Sequence, residues 1–147
     1  LNDATAATLD VFFEAGNKFV PGFGHRFHPI DPRAPKLLAE VERAAANGHV
    51  DGRFEKIARA VERDIERRKS RKIPMNIDGA TAAIYCELGF PPIVARGLFC
   101  LSRSVGILAH AWEQTEQGER NKGPIPRRMI WTYDGPDARL VPEPFDR

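Results

Sequence analysis

A glycine-rich segment near the start of the chain carries groups suited to acid–base chemistry and to binding an anion. It runs from Val20 to Arg33 and places His25 directly after Gly22 and Gly24. Glycines let a backbone turn sharply or approach a ligand closely, and a neutral imidazole exchanges protons near pH 7. The three prolines of the segment exclude a continuous helix. The segment therefore predicts a stiff loop for a small anionic molecule, with His25 or His28 as the working group.

One carboxylate and two arginines further along the chain could complete such a site. Asp78 precedes a predicted helix, where Asn and Asp are favoured caps. Asn76 could nevertheless cap that helix alone and leave Asp78 free as a general base. Arg103 lies in an otherwise apolar stretch, so its buried guanidinium would need an anion from the protein or from a ligand. Arg33 adds a second planar fork that suits a carboxylate.

Five helices are predicted to position these groups, and the sequence contains no convincing strand. Apolar residues recur at spacings of three and four, and proline, glycine and asparagine mark the ends. The first helix is capped by Asn2 or Asp3 and ends at Gly16, the second runs from Pro35 to Asn47, and the third has its apolar face from Phe54 to Ile65. The fourth runs from Ala80 to Leu88, and the fifth from Pro92 to about Gln117. The last is apolar on nearly every side, which predicts burial in a large core or a subunit interface.

Length, charge and cysteine content limit the class of protein. A chain of 147 residues is long enough for one domain with a core, and a net charge of +2 argues against a nucleic-acid partner. We expect no membrane partner, because no apolar run approaches the ~20 residues of a membrane span. Cys86 and Cys100 have no metal-type spacing and are predicted to be reduced core thiols of a cytoplasmic protein. The basic run 67–72 is interpreted as a solvated helix end, His49 as solvated and His110 as a core histidine. A nucleic-acid-binding module acting through this run is an alternative.

Four short motifs resemble the citrate synthase family, and more closely its citryl-CoA lyase branch. They occur in the family's order and are Pro21–Arg26, Asp31–Arg33, Asn76–Gly79 and Ser102–Gly106. The resemblance implies an all-α, citrate synthase-like fold and a homodimer. Residues 1–90 would form mostly the small lobe that closes on substrate, 91–119 the long buried helix of the large lobe or dimer core, and 120–147 a proline-rich extended tail. Because the chain begins at Leu1 rather than Met, we expect a C-terminal fragment whose upstream half is missing.

The resemblance also implies roles for four side chains. His25 would hydrogen-bond the oxygen at the reacting carbon, and Asp78 would move the proton at the acetyl carbon. Arg33 and Arg103 would bind carboxylates of the oxaloacetate moiety. The family's donor to the thioester oxygen is a histidine upstream of anything in this chain, so the fragment alone is expected to be incomplete.

Coenzyme A thioester would be a substrate, and no tightly bound cofactor or metal is implied. The resemblance places its adenine against the backbone of Gly22, Phe23 and Gly24. Its phosphates would lie near Arg71 or Lys72. A further family arginine that reaches into the partner's site has no clear counterpart in the segment 119–124.

The function implied is cleavage of citryl-CoA to acetyl-CoA and oxaloacetate. His25 would take the hydroxyl proton, the carbon–carbon bond would break, and Asp78 would protonate the enol of acetyl-CoA at carbon. Two alternatives stay open. One is a citrate or methylcitrate synthase that condenses acyl-CoA with oxaloacetate, and the other is a catalytically incomplete binder of acyl-CoA or a dicarboxylate.

Overall fold

The structure, a computed structural model, describes residues 1–118, 137, 138 and 140. The helices are α1 Asn2–Glu14, α2 Ala34–Ala46, α3 Arg53–Lys69, α4 Ile77–Glu87 and α5 Pro92–Glu116. Over this part of the chain there is no strand beyond a single bridge between Phe23 and Met75. The prediction of five helices and an all-α fold is therefore confirmed. Nearly all of the predicted tail, 120–147, lies outside the described residues. The chain divides into two compact units, 1–108 and 109–147.

The first unit is organised around the start of α4. The fully buried residues Ala80 of α4, Met75 just before it, and Ala34 and Leu38 of α2 form the core cluster. Phe23 from the glycine-rich segment and Ala58 of α3 pack against this cluster. Apolar side chains removed from water on several elements at once hold those elements together. The core thus lies directly beneath the segments that carry the predicted site residues.

Charged side chains join the helices at their ends. The carboxylate of Glu87, the last residue of α4, accepts hydrogen bonds of 2.5–3.1 Å from the backbone N–H groups of Gly52, Phe54 and Glu55. A carboxylate at this place satisfies free amides and complements the helix dipole of α3. At the other end of α3, Arg68 donates to the carbonyl oxygen of Ala6 in α1 at 3.0 Å. These contacts fix α1 and α4 against α3.

Two predicted helix starts need correction. α1 begins at Asn2 itself, and no side chain caps it, so neither Asn2 nor Asp3 is a cap. α4 begins at Ile77 rather than Ala80, because the cap lies one residue before it, at Asn76. Pro35 does lie in the first turn of α2, as predicted, where its missing N–H removes no helical hydrogen bond.

Helix α5 is exposed in this chain. Of its residues only Ala95 is buried, while Ile93 and Val105 are 88% and 72% exposed. By length and composition α5 could cross a membrane, which corrects the expectation that no apolar run is long enough. That finding is weak evidence, because a helix that packs inside a larger protein has the same composition. Burial in a large lobe or dimer core stays a prediction.

Exposure of α5 also changes two individual predictions, those for Cys100 and His110. Cys100 is exposed, whereas Cys86 is partly buried and burial raises the pKa of its thiol; both are free. The His110 side chain is 84% exposed and lies 3.4 Å from the Glu113 carboxylate, so it is not a core histidine within this chain. His49 is exposed, as predicted.

Candidate active site at the start of helix α4

Two motifs that are far apart in the sequence pair through their backbones. The carbonyl oxygen of Gly22 accepts from the N–H of Asn76 at 2.9 Å, and the N–H of Gly24 donates to the carbonyl oxygen of Pro74 at 2.7 Å. The side-chain amide of Asn76 donates to the carbonyl oxygen of Gly24 at 2.6 Å. The glycine-rich segment is thereby fixed to the N-terminus of α4, and the segments that carry His25 and Asp78 are joined.

The close approach of these segments requires glycine on both sides. Gly22 has φ +89, and a β-carbon on it would lie 2.8 Å from the Cα of Gly79. A β-carbon on Gly79 would lie 2.7 Å from Met75 Cγ and still closer to the carbonyl oxygen of Gly22. Both distances are shorter than a van der Waals contact allows. The two glycines therefore serve packing here, and the ligand contact that the resemblance implies for Gly22 stays a prediction.

Asn76 is the cap of α4. Its side-chain oxygen accepts from the N–H groups of Asp78 and Gly79 at 2.9 and 3.3 Å. This confirms that Asn76 can cap α4 by itself. The Asp78 side chain is consequently not used as a cap and lies in the first turn, half-buried.

Asp31 is a buried residue of the site to which the sequence analysis gave no role. Its carboxylate accepts from Arg33 Nε and Nη2, both at 3.0 Å, and from the backbone N–H of Ile77 at 2.9 Å. The bonds from Arg33 outweigh desolvation and hold the pKa of Asp31 far below its usual range. Asp31 thus orients Arg33 and ties it to the start of α4. The sequence feature that could have indicated this role is an Asp two residues before an Arg, a spacing that suits a local turn.

Two guanidinium groups lie beside the Asp78 carboxylate, and a third, that of Arg33, interacts with its charge. Arg103 Nη2 is 3.8 Å from Oδ1, and Arg96 Nη1 is 3.8 Å from Oδ2. The pKa of Arg33 is raised mainly by its hydrogen bond to Asp31 and, to a smaller extent, by the charge of Asp78. Asp78 Oδ1 is buried and accepts no hydrogen bond. Such an arrangement suits a proton acceptor beside a bound anion.

Arg103 differs from its prediction, and Arg96 was missed. The Arg103 side chain is 49% exposed rather than buried, and within the chain its anion is Asp78. Arg96 precedes Arg103 by two helical turns, so the two lie on the same face of α5. The spacing of Arg96, Phe99 and Arg103 was the signal that could have identified Arg96.

His25 has a defined protonation pattern. Its ring is half-buried, and Nδ1 accepts from the backbone N–H groups of Phe27 and His28, each at 3.1 Å. With Nδ1 used as an acceptor, the proton of the neutral imidazole lies on Nε2. The His28 ring lies beside it, with centroids 4.9 Å apart. Within the described part of the chain, His25 and Asp78 make no direct hydrogen bond to each other.

The predicted phosphate contacts are at the end of α3. Arg71 and Lys72 are exposed and follow Ser70, which ends α3 with φ 50. Asp64 pairs with Arg67 and Arg68, whereas Arg71 and Lys72 pair with no carboxylate among the residues described. Lys72 also borders a cleft of about 320 Å³ beside Ile73 and Pro74. In the described ranges, no group of three or more His, Cys, Asp or Glu side chains could hold a metal ion.

The family model described as "Citrate synthase, C-terminal domain" matches residues 2–128. Among curated proteins, the chain is 35% identical over 102 residues to a citrate synthase of Saccharolobus solfataricus, covering 67% of this chain and 27% of that protein. It is 34% identical over 124 residues to citrate synthase 1 of Mycobacterium tuberculosis, covering 82% of this chain and 28% of that protein. It is 33% identical over 125 residues to citrate synthase 2 of Bacillus subtilis, covering 84% and 31%.

Among solved structures, the chain resembles citryl-CoA lyase from Hydrogenobacter thermophilus, with a TM-score of 0.57 and 29% identity. The match covers 94% of this chain and 52% of that one. The chain spans less than a third of the length of the three curated relatives named above. The family match covers most of the chain and includes the loop, the cap and the arginines described above. The chain belongs to the citrate synthase family, a family of enzymes, and corresponds to its C-terminal domain.

Proposed function

We propose that this chain carries the acid-binding and proton-transferring part of an enzyme that cleaves citryl-CoA to acetyl-CoA and oxaloacetate. The observation that carries the proposal is the environment of Asp78. Asn76, and not Asp78, caps α4. The Oδ1 atom of Asp78 is buried without a hydrogen bond, and arginines lie beside the Asp78 carboxylate. A carboxylate held beside an anion site can move a proton at a carbon next to a thioester.

The arginines would fix the polycarboxylic acid. Arg33 is held in place by two bonds to Asp31, so its remaining N–H groups have a defined direction. Arg103 reaches toward Asp78 from α5 and would bind a second carboxylate. Two guanidinium forks at defined positions orient a multiply charged acid and bring the reacting carbons together.

His25 would donate from Nε2 to the oxygen at the reacting carbon. The proton on Nε2 stabilises negative charge on that oxygen as the carbon–carbon bond forms or breaks. In cleavage the hydroxyl proton passes to solvent, and the bond breaks to leave the ketone of oxaloacetate and the enolate of acetyl-CoA. Asp78 in its protonated form gives its proton to the enolate carbon and regains one from solvent. This role of His25 differs from the expectation that it takes the hydroxyl proton. Accepting a proton at Nε2 would require the other tautomer, and a proton on Nδ1 would face the N–H groups of Phe27 and His28.

Coenzyme A would bind along the glycine-rich segment and the end of α3. The exposed Arg71 and Lys72 pair with no carboxylate in the described part of the chain, and their positive charge suits phosphates. The apolar face of α5 would be covered by the remainder of the enzyme or by its dimer partner, because exposed apolar patches of this kind mark interaction surfaces.

Synthase activity is the second candidate, and the identity to citrate synthases favours it. The two are separated by incubating the full-length enzyme that carries this chain with citryl-CoA and, in parallel, with acetyl-CoA plus oxaloacetate, and by following the products by mass spectrometry. Release of acetyl-CoA without free citrate supports the lyase, and release of citrate and free coenzyme A supports the synthase. An Asp78→Asn variant should be inactive in both, while the exposed Asp51→Asn control should match the wild type. Turnover of neither mixture would reject both activities and leave the acyl-CoA or dicarboxylate binder.

A further inference from the structure

Helix α5 presents two arginines and one phenylalanine along a single face. Arg96, Phe99 and Arg103 are spaced at i, i+3 and i+7, which places them in one line on a helix. Both guanidinium groups lie over the Phe99 ring, at 5.9 Å for Arg96 and 4.5 Å for Arg103. They then reach different oxygens of one carboxylate, Asp78 Oδ2 and Oδ1, each at 3.8 Å. The aromatic ring holds both arginines over the site by cation–π contact.

Neither Arg96 nor Arg103 is within hydrogen-bond distance of Asp78. A separation of 3.8 Å exceeds the 2.7–3.2 Å typical of an N–H···O hydrogen bond. The side chains of Arg96 and Arg103 are 71% and 49% exposed, so both are accessible to a ligand. Within the described residues, Arg96 has no carboxylate partner other than Asp78. By contrast, Arg33 already donates two bonds of 3.0 Å to Asp31.

We propose that Arg96 is a substrate-binding residue that forms, with Arg103, a clamp for one carboxylate of a polycarboxylic acid, and that Asp78 occupies this clamp only while the acid is absent. This inference rests on the proposed function. A ligand carboxylate that forms direct bonds to both guanidinium groups replaces the distant Asp78 oxygens. Asp78 then loses its two cationic neighbours and is released to move a proton. Binding of the polycarboxylic acid thus makes the proton-transferring carboxylate of Asp78 available.

The charges of the site agree with this exchange. Arg33 is paired with Asp31, whereas Arg96 and Arg103 share the single carboxylate of Asp78, so these five groups together carry one excess positive charge. A ligand with two or more carboxylates supplies the missing negative charge. Arg33 would bind one carboxylate, and the Arg96–Arg103 clamp would bind another.

The test measures citrate binding by the protein and by single and double variants, using calorimetry and the side-chain NMR signals of the arginines. Arg96→Gln should weaken citrate binding by about tenfold, because hydrogen bonds to a charged group are lost. Asp78→Asn should tighten binding several-fold, because it removes the charge that competes for the clamp. In the double variant with Arg96→Gln and Asp78→Asn, the gain in citrate affinity from Asp78→Asn should largely disappear, because the effects of substitutions at contacting residues are not additive.

Arg53→Gln is the matched control. Arg53 is also exposed and lies over a phenylalanine ring, 5.8 Å from the centroid of Phe54, at the start of α3. Its substitution should leave citrate affinity unchanged. Thermal melting of each variant verifies that the exposed Arg96 side chain is not needed for folding.

The outcomes separate this inference from the proposed function. If Arg96→Gln binds citrate within twofold of the wild type while Arg33→Gln and Arg103→Gln lose binding, the role of Arg96 is wrong and the proposed function stands. If Asp78→Asn weakens binding, Asp78 is not the resting partner of the clamp. If the wild type does not bind citrate, or if none of the three arginine variants differs from it, both proposals are rejected.

Discussion

The backbone of Gly22 lies directly against the backbone of Gly79, so that a β-carbon on Gly22 would be 2.8 Å from the Cα of Gly79. These residues belong to two segments that are otherwise linked by hydrogen bonds between Gly22, Gly24, Pro74 and Asn76. The contact explains how a loop and a helix end can place functional side chains together. It also makes the site sensitive to the addition of one methyl group.

Gly79→Ala should destabilise the protein by about 2 kcal/mol, because overpacking forces the backbone of Gly22 away. On helix propensity alone the sign would be opposite, since Ala is favoured over Gly by about 1 kcal/mol. Gly97→Ala in α5 is the control, because a β-carbon there meets nothing within 4 Å; it should be neutral or stabilising. Denaturant unfolding of both variants measures the difference. Equal effects of the two changes would show that the Gly22–Gly79 contact is not tight.

Asn76 has two separable roles, as an acceptor that caps α4 and as a donor to Gly24. Asn76→Ala removes both and should cost about 2 kcal/mol of unfolding free energy. Asn76→Asp keeps the cap but loses the donor, so it should cost less, about 1 kcal/mol. Asn47→Ala is the comparison, because Asn47 is exposed at the end of α2. If Asn76→Asp were as stable as the wild type, the bond to Gly24 would contribute nothing.

Local features of the site could be predicted from the sequence, and contacts between distant segments could not. The cap of α4 depends on residues two and three positions apart, and the helices depend on short-range spacing of apolar residues. The bond from Ile77 to Asp31 joins residues far apart in the chain. Nothing in the local pattern at Asp31 indicates that partner, so its role as a positioning residue emerged only from the structure.

Helix α5 shows a second limit of prediction from the sequence. Its composition predicts burial, because apolar side chains gain free energy when they leave water. Composition does not identify the surface that covers the helix, and within the described residues only Ala95 of α5 is buried. The same exposure explains why Arg103 is half-exposed rather than buried, and why Cys100 is not a core residue.

The acid side of the stability profile should depend on Asp31. Its folded-state pKa is lowered by the hydrogen bonds from Arg33, so the folded protein binds fewer protons than the unfolded chain below about pH 4. The stabilisation is present above that pH and is lost as the pH falls toward the folded-state pKa. Asp31→Asn should therefore lower stability at pH 7 by about 2 kcal/mol and flatten the loss of stability on acidification.

Part of the acid dependence should survive in Asp31→Asn. Burial opposes ionisation of Asp64, but hydrogen bonds from Arg68 and Arg67 lower its pKa. Denaturant unfolding between pH 2 and pH 7 compares the wild type with Asp31→Asn and with the exposed control Asp51→Asn. An Asp31→Asn variant with the same pH slope as the wild type would mean that the Asp31 pair is already broken in solution.

The tautomer of His25 can be measured directly, because the chain has only four histidines. The two N–H groups that face Nδ1 predict that the neutral ring carries its proton on Nε2, whereas the exposed His49 should show the mixture typical of a solvated imidazole. Long-range proton–nitrogen correlation spectra distinguish the two ring nitrogens, and a His25→Gln variant assigns the signals. A proton found on Nδ1 would restore His25 as an acceptor of the hydroxyl proton. A proton found on Nε2 makes His25 a hydrogen-bond donor to the reacting oxygen, so that the hydroxyl proton of a cleaved substrate must pass to solvent.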